Sequence, residues 1–241
     1  VGIGPGALEH LSLKAYKAIT ESQVIVGYIT YIRLLGELTC GKEIISYAMT
    51  QEIERAKQAI DEALNGKRVC LISSGDPGIY GMAGIALELL KNKEQRNLKI
   101  EIIPGIMAGS SCASLLGAPL SHDFAVISLS DLLTPWPEIA SRLRAAAQSD
   151  FVIVLYNPKS KSRHKPLEKA YRIMLKYKPA DTPVGIVKNA FRIKQEVSII
   201  RLKDLARFLD KIDMATTIIV GNSHTYTSGG FMITPRGYHL K

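Results

Sequence analysis

The chain is 241 residues long, 46% hydrophobic and 22% charged, which supplies ample apolar material for a packed core and excludes a disordered or low-complexity protein. Its net charge of +9 favours polyanionic partners: nucleic acid, phosphates or a polycarboxylate. No apolar run reaches the ~18 residues of a membrane span, and the opening VGIGPG reads as no signal peptide, so neither membrane insertion nor secretion is expected.

Strand-like and helix-like segments alternate along the chain. A glycine loop ordinarily follows a strand, so residues of a first strand are expected ahead of Val1. VIVG (24–27) and EIIS (43–46) read as short strands, and Ile53, Ala56, Ile60, Ala63 and Leu64 recur with a helical period. RVCLIS, IEIIP and FAVISLS are further expected strands, with MAGIALELLKN as a helix between the first two. This alternation predicts an α/β chain with a mostly parallel sheet in its first part. Beyond Leu129 the character changes. DLLTPWPEIASRLRAAAQS begins at a Pro-Trp-Pro turn and continues as an amphipathic helix. FVIVLYNP, PVGIVKNAF, EVSIIRL and TTIIVGNS follow as strands, with helices at KPLEKAYRIMLKY and LKDLARFLDKI. The link between Val184–Val187 and Val197–Ile200 is too short for a crossover helix, which predicts an antiparallel hairpin and a mixed sheet. Two α/β domains are expected, 1–128 and 129–241.

Three small-residue loops leave the strands of the first half. GIGPGALEH carries G-x-G-x-G rather than the dinucleotide G-x-G-x-x-G, and Pro5 removes an amide that a pyrophosphate would use. SSGDPGIYGMAG adds a single acid, Asp76, but lacks the Lys and Ser/Thr of a phosphate-binding loop. Asp76 could meet a ligand or cap the next helix. IPGIMAGSSCASLLG opens a helix with small residues. Together the loops outline one cleft at successive strand ends. The five histidines are scattered and the three cysteines, Cys40, Cys70 and Cys112, are far apart, so no protein-bound metal is expected and the thiols suit a reducing, cytoplasmic setting. SHD at 121–123 is a local tripeptide with no triad around it. The basic excess concentrates in NPKSKSRHK, 157–165.

Taken together, GIGPG, SGDPGIYG, IPGIMA and the late VGN resemble the class III S-adenosylmethionine-dependent methyltransferases, the tetrapyrrole methylases, over nearly the whole chain. SLSDLLTPWPEIASRL, LYNPKSKSR and MITPRGY resemble the subgroup that methylates C17 of a corrin precursor, precorrin-3B or cobalt-factor III, in cobalamin biosynthesis. The resemblance implies two α/β domains, a homodimer, S-adenosylmethionine held between the domains, and ring contraction with displacement of the C20 meso carbon. Carried over by position, the cofactor residues are Pro5, Ser74, Gly75, Asp76, Ile79, Met107, Ala108, Asn157, Ala190, Thr216 and Thr217. Two positions depart from many relatives: Met107 replaces a hydroxyl residue and Ala7 replaces an Asp.

An activated sulfonium methyl needs alignment and water exclusion more than a strong base. Asp131 in SLSDLL is the candidate acid or base for ring contraction; as an alternative it caps the following turn. Lys159, Lys161, Arg163 and Arg236 are the candidate partners for substrate carboxylates, and any cobalt is expected to travel with the substrate. Nucleic acid and membrane are not expected partners. The competing readings are a methylase of another tetrapyrrole, an rRNA 2′-O-methyltransferase, and a non-catalytic tetrapyrrole carrier. The basic run lacks the interleaved aromatics that would favour RNA.

Overall fold

A computed structural model describes residues 1–91, 98–160 and 163–238. The chain divides into two compact units, Val1–Ala108 and Gly109–Lys241. In order the elements are α1 (Leu13–Glu21), β1 (Val24–Tyr28), α2 (Ile29–Arg33), β2 (Glu43–Tyr47), α3 (Glu52–Leu64), β3 (Val69–Leu71) and α4 (Met82–Leu90), then α5 (Ala108–Leu116), β4 (Gly117–Ala118), β5 (Phe124–Ser128), α6 (Trp136–Gln148), β6 (Val152–Tyr156), α7 (Lys165–Tyr177), β7 (Pro183–Lys188), β8 (Glu196–Arg201), β9 (Thr216–Val220), β10 (Tyr226–Ser228) and β11 (Phe231–Ile233).

The first unit is built on an all-parallel sheet in the order β2-β1-β3. Its central strand is apolar on both faces because both are covered. Ile25 packs with Ile3, Ile19 and Ile32 on one side, and Val24 and Val26 pack with Ala59 on the other. Val1–Gly4 runs beside β3 through a single parallel bridge, Gly2 to Ser73. The expected strand at IEIIP does not form. Pro104 has no N–H to donate, Ile100 and Ile102 lie exposed, and the segment keeps one sheet-like bond, from Gly2 N–H to the Ile103 carbonyl.

The second unit holds a five-stranded mixed sheet, β5-β6-β9-β7-β8. β5 and β6 are parallel, β9 inserts antiparallel between β6 and β7, and β7-β8 is the expected hairpin, in register from Pro183–Arg201 to Lys188–Glu196. One face packs against α6, α7 and a 3-10 run, Leu202–Lys211, through Leu143, Leu167, Met174, Leu202 and Leu205. An ordinary helix is expected over that run, but its apolar residues Leu202, Leu205 and Phe208 recur every third position, which suits a 3-10 spiral. α5 belongs to this unit: Leu116 packs so closely on Gly185 that a Cβ there would lie 3.0 Å from the leucine Cγ. That contact, and the pairing of Gly117 and Ala118 with β11, draw residues 109–128 into the second unit, ahead of the division expected at Leu129.

At one edge of this sheet sits a buried lysine. Lys178 is 4% exposed, and its Nζ donates to the carbonyls of Phe151 at 2.8 Å and Gly221 at 2.9 Å, with the Asp150 carboxylate at 3.5 Å. Burial pushes the lysine below its ordinary pKa, while Asp150 works in the opposite sense. The cation thus ties the start of β6 to the end of β9. Lys178→Met should lower unfolding stability by about 2 kcal/mol, because it leaves the Phe151 and Gly221 carbonyls without their donor; the shift of the urea midpoint measures it.

Candidate active site

The loops of the first unit meet at the C-terminal ends of its parallel strands, where open α/β sheets bind ligands. Ile3 N–H donates to the Ser73 carbonyl at 2.9 Å and Gly4 N–H to the Gly75 carbonyl at 3.1 Å, which zips the first loop onto the second. A Cβ on Gly2 would stand 2.5 Å from Gly105 N and 2.7 Å from the Gly75 carbonyl oxygen. One on Gly4 would overlap Gly75 and the Ile106 carbonyl, and one on Gly105 would lie 2.9 Å from Gly2 Cα. These glycines therefore serve loop-against-loop packing. Gly75 differs: its φ of +63° favours glycine, and a Cβ there would meet Ala108 N only at 3.7 Å.

Asp76 locks the arrangement. Its Oδ1 accepts from Gly78 N–H at 2.8 Å, and its Oδ2 accepts from Gly105 N–H at 3.1 Å, so one carboxylate holds its own turn and the third loop. It does not cap α4. There Ser73 Oγ accepts from Met82 N–H at 3.4 Å, a role the sequence reading missed. Ser74, Met107 and Ala108 are half-buried around this junction, Pro5 is buried on the first loop, and Ile79 is exposed on the second. An open hollow of about 460 Å³ adjoins Gly105, lined by residues 9–12 and 104–106.

In the second unit the candidate residues gather at one sheet edge because of strand direction. The parallel pair β5 and β6 and the strand β7 all end there, and antiparallel β9 begins there. Asn157 follows β6 with φ +50°, and its Nδ2 donates to Ser128 Oγ at 2.9 Å. Ala190 lies in the tight β7-β8 turn, where Asn189, Phe191 and Lys194 all have positive φ. Thr216 and Thr217 open β9 and are buried. Thr216 Oγ1 is 3.1 Å from Asp213 Oδ1, and the same carboxylate pairs with Lys188 Nζ at 2.7 Å and accepts from Ala215 N–H at 2.9 Å. Burial alone would raise the Asp213 pKa, but Lys188, the Ala215 amide and Thr216 hold it below its ordinary 3.8. Burial also pushes the Cys112 thiol up to about 11, against a hydrogen bond with Thr217, so this thiol stays protonated and inert. Tyr156 is a further residue that sequence reading passed over. Its hydroxyl accepts from Gly109 N–H at 2.6 Å and serves the start of α5.

The basic candidates are largely occupied by the protein itself. Lys159 Nζ donates to the Leu209 carbonyl at 2.7 Å and lies 3.6 Å from Asp210. Arg163 donates to the Leu129 carbonyl at 2.6 Å and the Asn157 carbonyl at 2.9 Å, with its Nε 3.8 Å from Asp131 Oδ1. Burial lowers the Arg163 pKa and Asp131 opposes that, so the guanidinium remains a cation tying the β5 and β6 loops together. Asp131 lies in a turn beside Arg163. Lys161 lies outside the described residues. Arg236 is exposed near the C-terminal end. Among the described residues, no three His, Cys, Asp or Glu side chains gather as a metal set.

Residues 1–206 match the family model of the Tetrapyrrole (Corrin/Porphyrin) Methylases. The chain is 48% identical over 240 residues to the probable cobalt-factor III C(17)-methyltransferase of Salmonella typhimurium, covering all of this chain and 98% of that protein. It is 50% identical over 244 residues to the cobalt-factor III methyltransferase of Priestia megaterium, again across the whole chain, but spans only 45% of that longer protein. Among solved structures, the methyltransferase CobJ superposes with a TM-score of 0.91 at 34% identity, over 97% of both chains.

The stability that Asp213 contributes is present above the ordinary carboxylate pKa and is lost as the pH falls through its lowered folded value. The difference in unfolding free energy between the unaltered protein and Asp213→Asn should therefore shrink as the pH is taken from about 7 to about 3. Urea titrations at several pH values test this, and a pH-independent difference would contradict it.

Proposed function

The chain belongs to the tetrapyrrole (corrin/porphyrin) methylases, and from that premise we propose that it transfers a methyl group from S-adenosylmethionine to C17 of cobalt-factor III or precorrin-3B in cobalamin biosynthesis, with ring contraction. The observation that carries the reading is the strand-end junction in which Asp76 fastens the Gly105 loop to its own. Identity near one half to relatives of that name supports the choice of acceptor.

When bound, S-adenosylmethionine supplies an already activated methyl. The residues of this chain then have to bind and orient it and keep water away, which is work for backbone and small side chains. Pro5, Ser74, Gly75, Ile79, Met107 and Ala108 would hold it on the first unit, with Asp76 as the residue that sets the spacing of the loops. Asn157, Ala190, Thr216 and Thr217 are the second unit's proposed cofactor contacts. Asp131 is the proposed acid or base for ring contraction, with Arg163 Nε 3.8 Å from its Oδ1. Arg236 and Lys161 are proposed carboxylate contacts. Lys159 and Arg163 reach substrate in this reading by sharing charge already engaged on backbone carbonyls. A homodimer, a cytoplasmic setting suited to three free thiols, and a metal carried by the substrate complete the reading.

Anaerobic incubation with S-adenosylmethionine and either cobalt-factor III or precorrin-3B should give a mass gain of one methyl together with a changed chromophore. Absence of transfer to both would overturn the choice of acceptor. Asp76→Ala should weaken S-adenosylhomocysteine binding at least about tenfold, a loss of ~1.4 kcal/mol, since two charge-assisted bonds that space the loops disappear. Calorimetry reads the affinity; an unchanged value in a folded variant would remove Asp76 from the site.

A further inference from the structure

The turn between β5 and α6 holds two leucines away from any core. Leu132 is 74% exposed and Leu133 97%. A single exposed leucine is unremarkable, but this turn is fastened at both ends. On one side Leu129 is fully buried, its N–H donates to the Tyr156 carbonyl at 2.8 Å, and its carbonyl takes Arg163 Nη1 at 2.6 Å. On the other, Trp136 packs on the core with Lys169 over its ring at 5.3 Å. The inward apolar positions are filled by Leu129 and Ile139, so the two leucines are held outward by a built turn.

Their position in the sheet points to an occupant. The turn lies at the edge where β5, β6 and β7 end, beside Asp131 and Asn157. The same edge carries Ile193, 90% exposed in the β7-β8 turn, and Met214, whose sulfur is 3.6 Å from Arg163 Nη2. At the opposite edge the described residues expose aromatics, Phe124 at 40%, Phe151 at 36% and Tyr177 at 41%, but none of these approaches the exposure of Leu132 or Leu133. Exposed aliphatic side chains on the edge that also holds Asp131 and Asn157 suit the apolar face of a flat, conjugated ring.

We propose that Leu132 and Leu133 form an apolar platform for the face of the macrocyclic acceptor, binding the acceptor and not the methyl donor. The proposal rests on the function inferred above. The test pairs the double variant Leu132→Ser/Leu133→Ser with Leu132→Met/Leu133→Met, which keeps the apolar surface. Both positions are exposed, so thermal unfolding of both variants should match the unaltered protein. The serine variant should bind S-adenosylhomocysteine within about twofold of normal, while KM for cobalt-factor III or precorrin-3B rises at least about tenfold and kcat changes less. The methionine variant should retain most of the activity. An unchanged KM in the serine variant would overturn the platform. So would a loss of activity accompanied by a changed oligomeric mass in light scattering, which would assign the leucines to a contact between copies. If the unaltered protein methylates neither tetrapyrrole, the functional reading fails and the platform falls with it; activity on either one, with the serine variant equally active, sinks the platform alone.

Discussion

Everything in the first unit's candidate site depends on three loop backbones meeting so closely that Gly2, Gly4 and Gly105 have no room for a Cβ. Gly2, Gly75 and Gly105 stand so close that a Cβ on Gly2 would come within 2.7 Å of the Gly75 carbonyl oxygen. Such contact is stable only if the polar backbone groups brought together are paired, and they are: Gly2 with Ile103, Gly4 with Gly75, and Gly105 with the Asp76 carboxylate. The site's geometry is thus set by main-chain hydrogen bonds and one acid, which makes it stiff without placing many titratable groups around a ligand. That character suits a reaction in which the donor is activated before it binds.

The second unit solves a different problem. Inserting β9 antiparallel between β6 and β7 brings the start of one strand beside the ends of its neighbours. Loops of unlike origin then share one edge and must be joined by side chains. Arg163 joins the β5 and β6 loops through two carbonyls, and Asp213 joins Lys188 to the start of β9. Lys178 does the equivalent work at the far edge, between the start of β6 and the end of β9. The same edge that holds the candidate polar residues also exposes aliphatic ones.

The net charge of +9 looks like an invitation to a polyanion, yet several of its cations are committed internally. Lys159, Arg163 and Lys178 each donate to main-chain carbonyls. Formal charge counts do not distinguish a cation held by a carbonyl from one free to meet a carboxylate. Partner choice therefore depends on which positive groups remain outside, and Arg236 is one that stands exposed.

The sequence by itself determined the α/β class, the strands β1–β3 and β5–β9, the β7-β8 hairpin and the three small-residue loops, because hydrophobic period, glycine placement and loop length are local properties of the chain, while the short strands β4, β10 and β11 carry too little pattern to be read. Its motifs also carried the family resemblance. The tertiary structure decided what long-range contact decides. It gave α5 to the second unit through Leu116 on Gly185 and replaced a strand at IEIIP with a single bond to Gly2. It showed that Gly2, Gly4 and Gly105 face backbone, that Ser73 rather than Asp76 serves the start of α4, and that Lys159 and Arg163 are engaged at home. Most of these partners lie far from their mates in the chain; the exceptions are Ser73, nine residues before Met82, and Asn157, six before Arg163. A pattern read along the sequence reports which side of an element is apolar, while the choice of partner for a hydrogen bond or a missing Cβ is made only when distant segments meet.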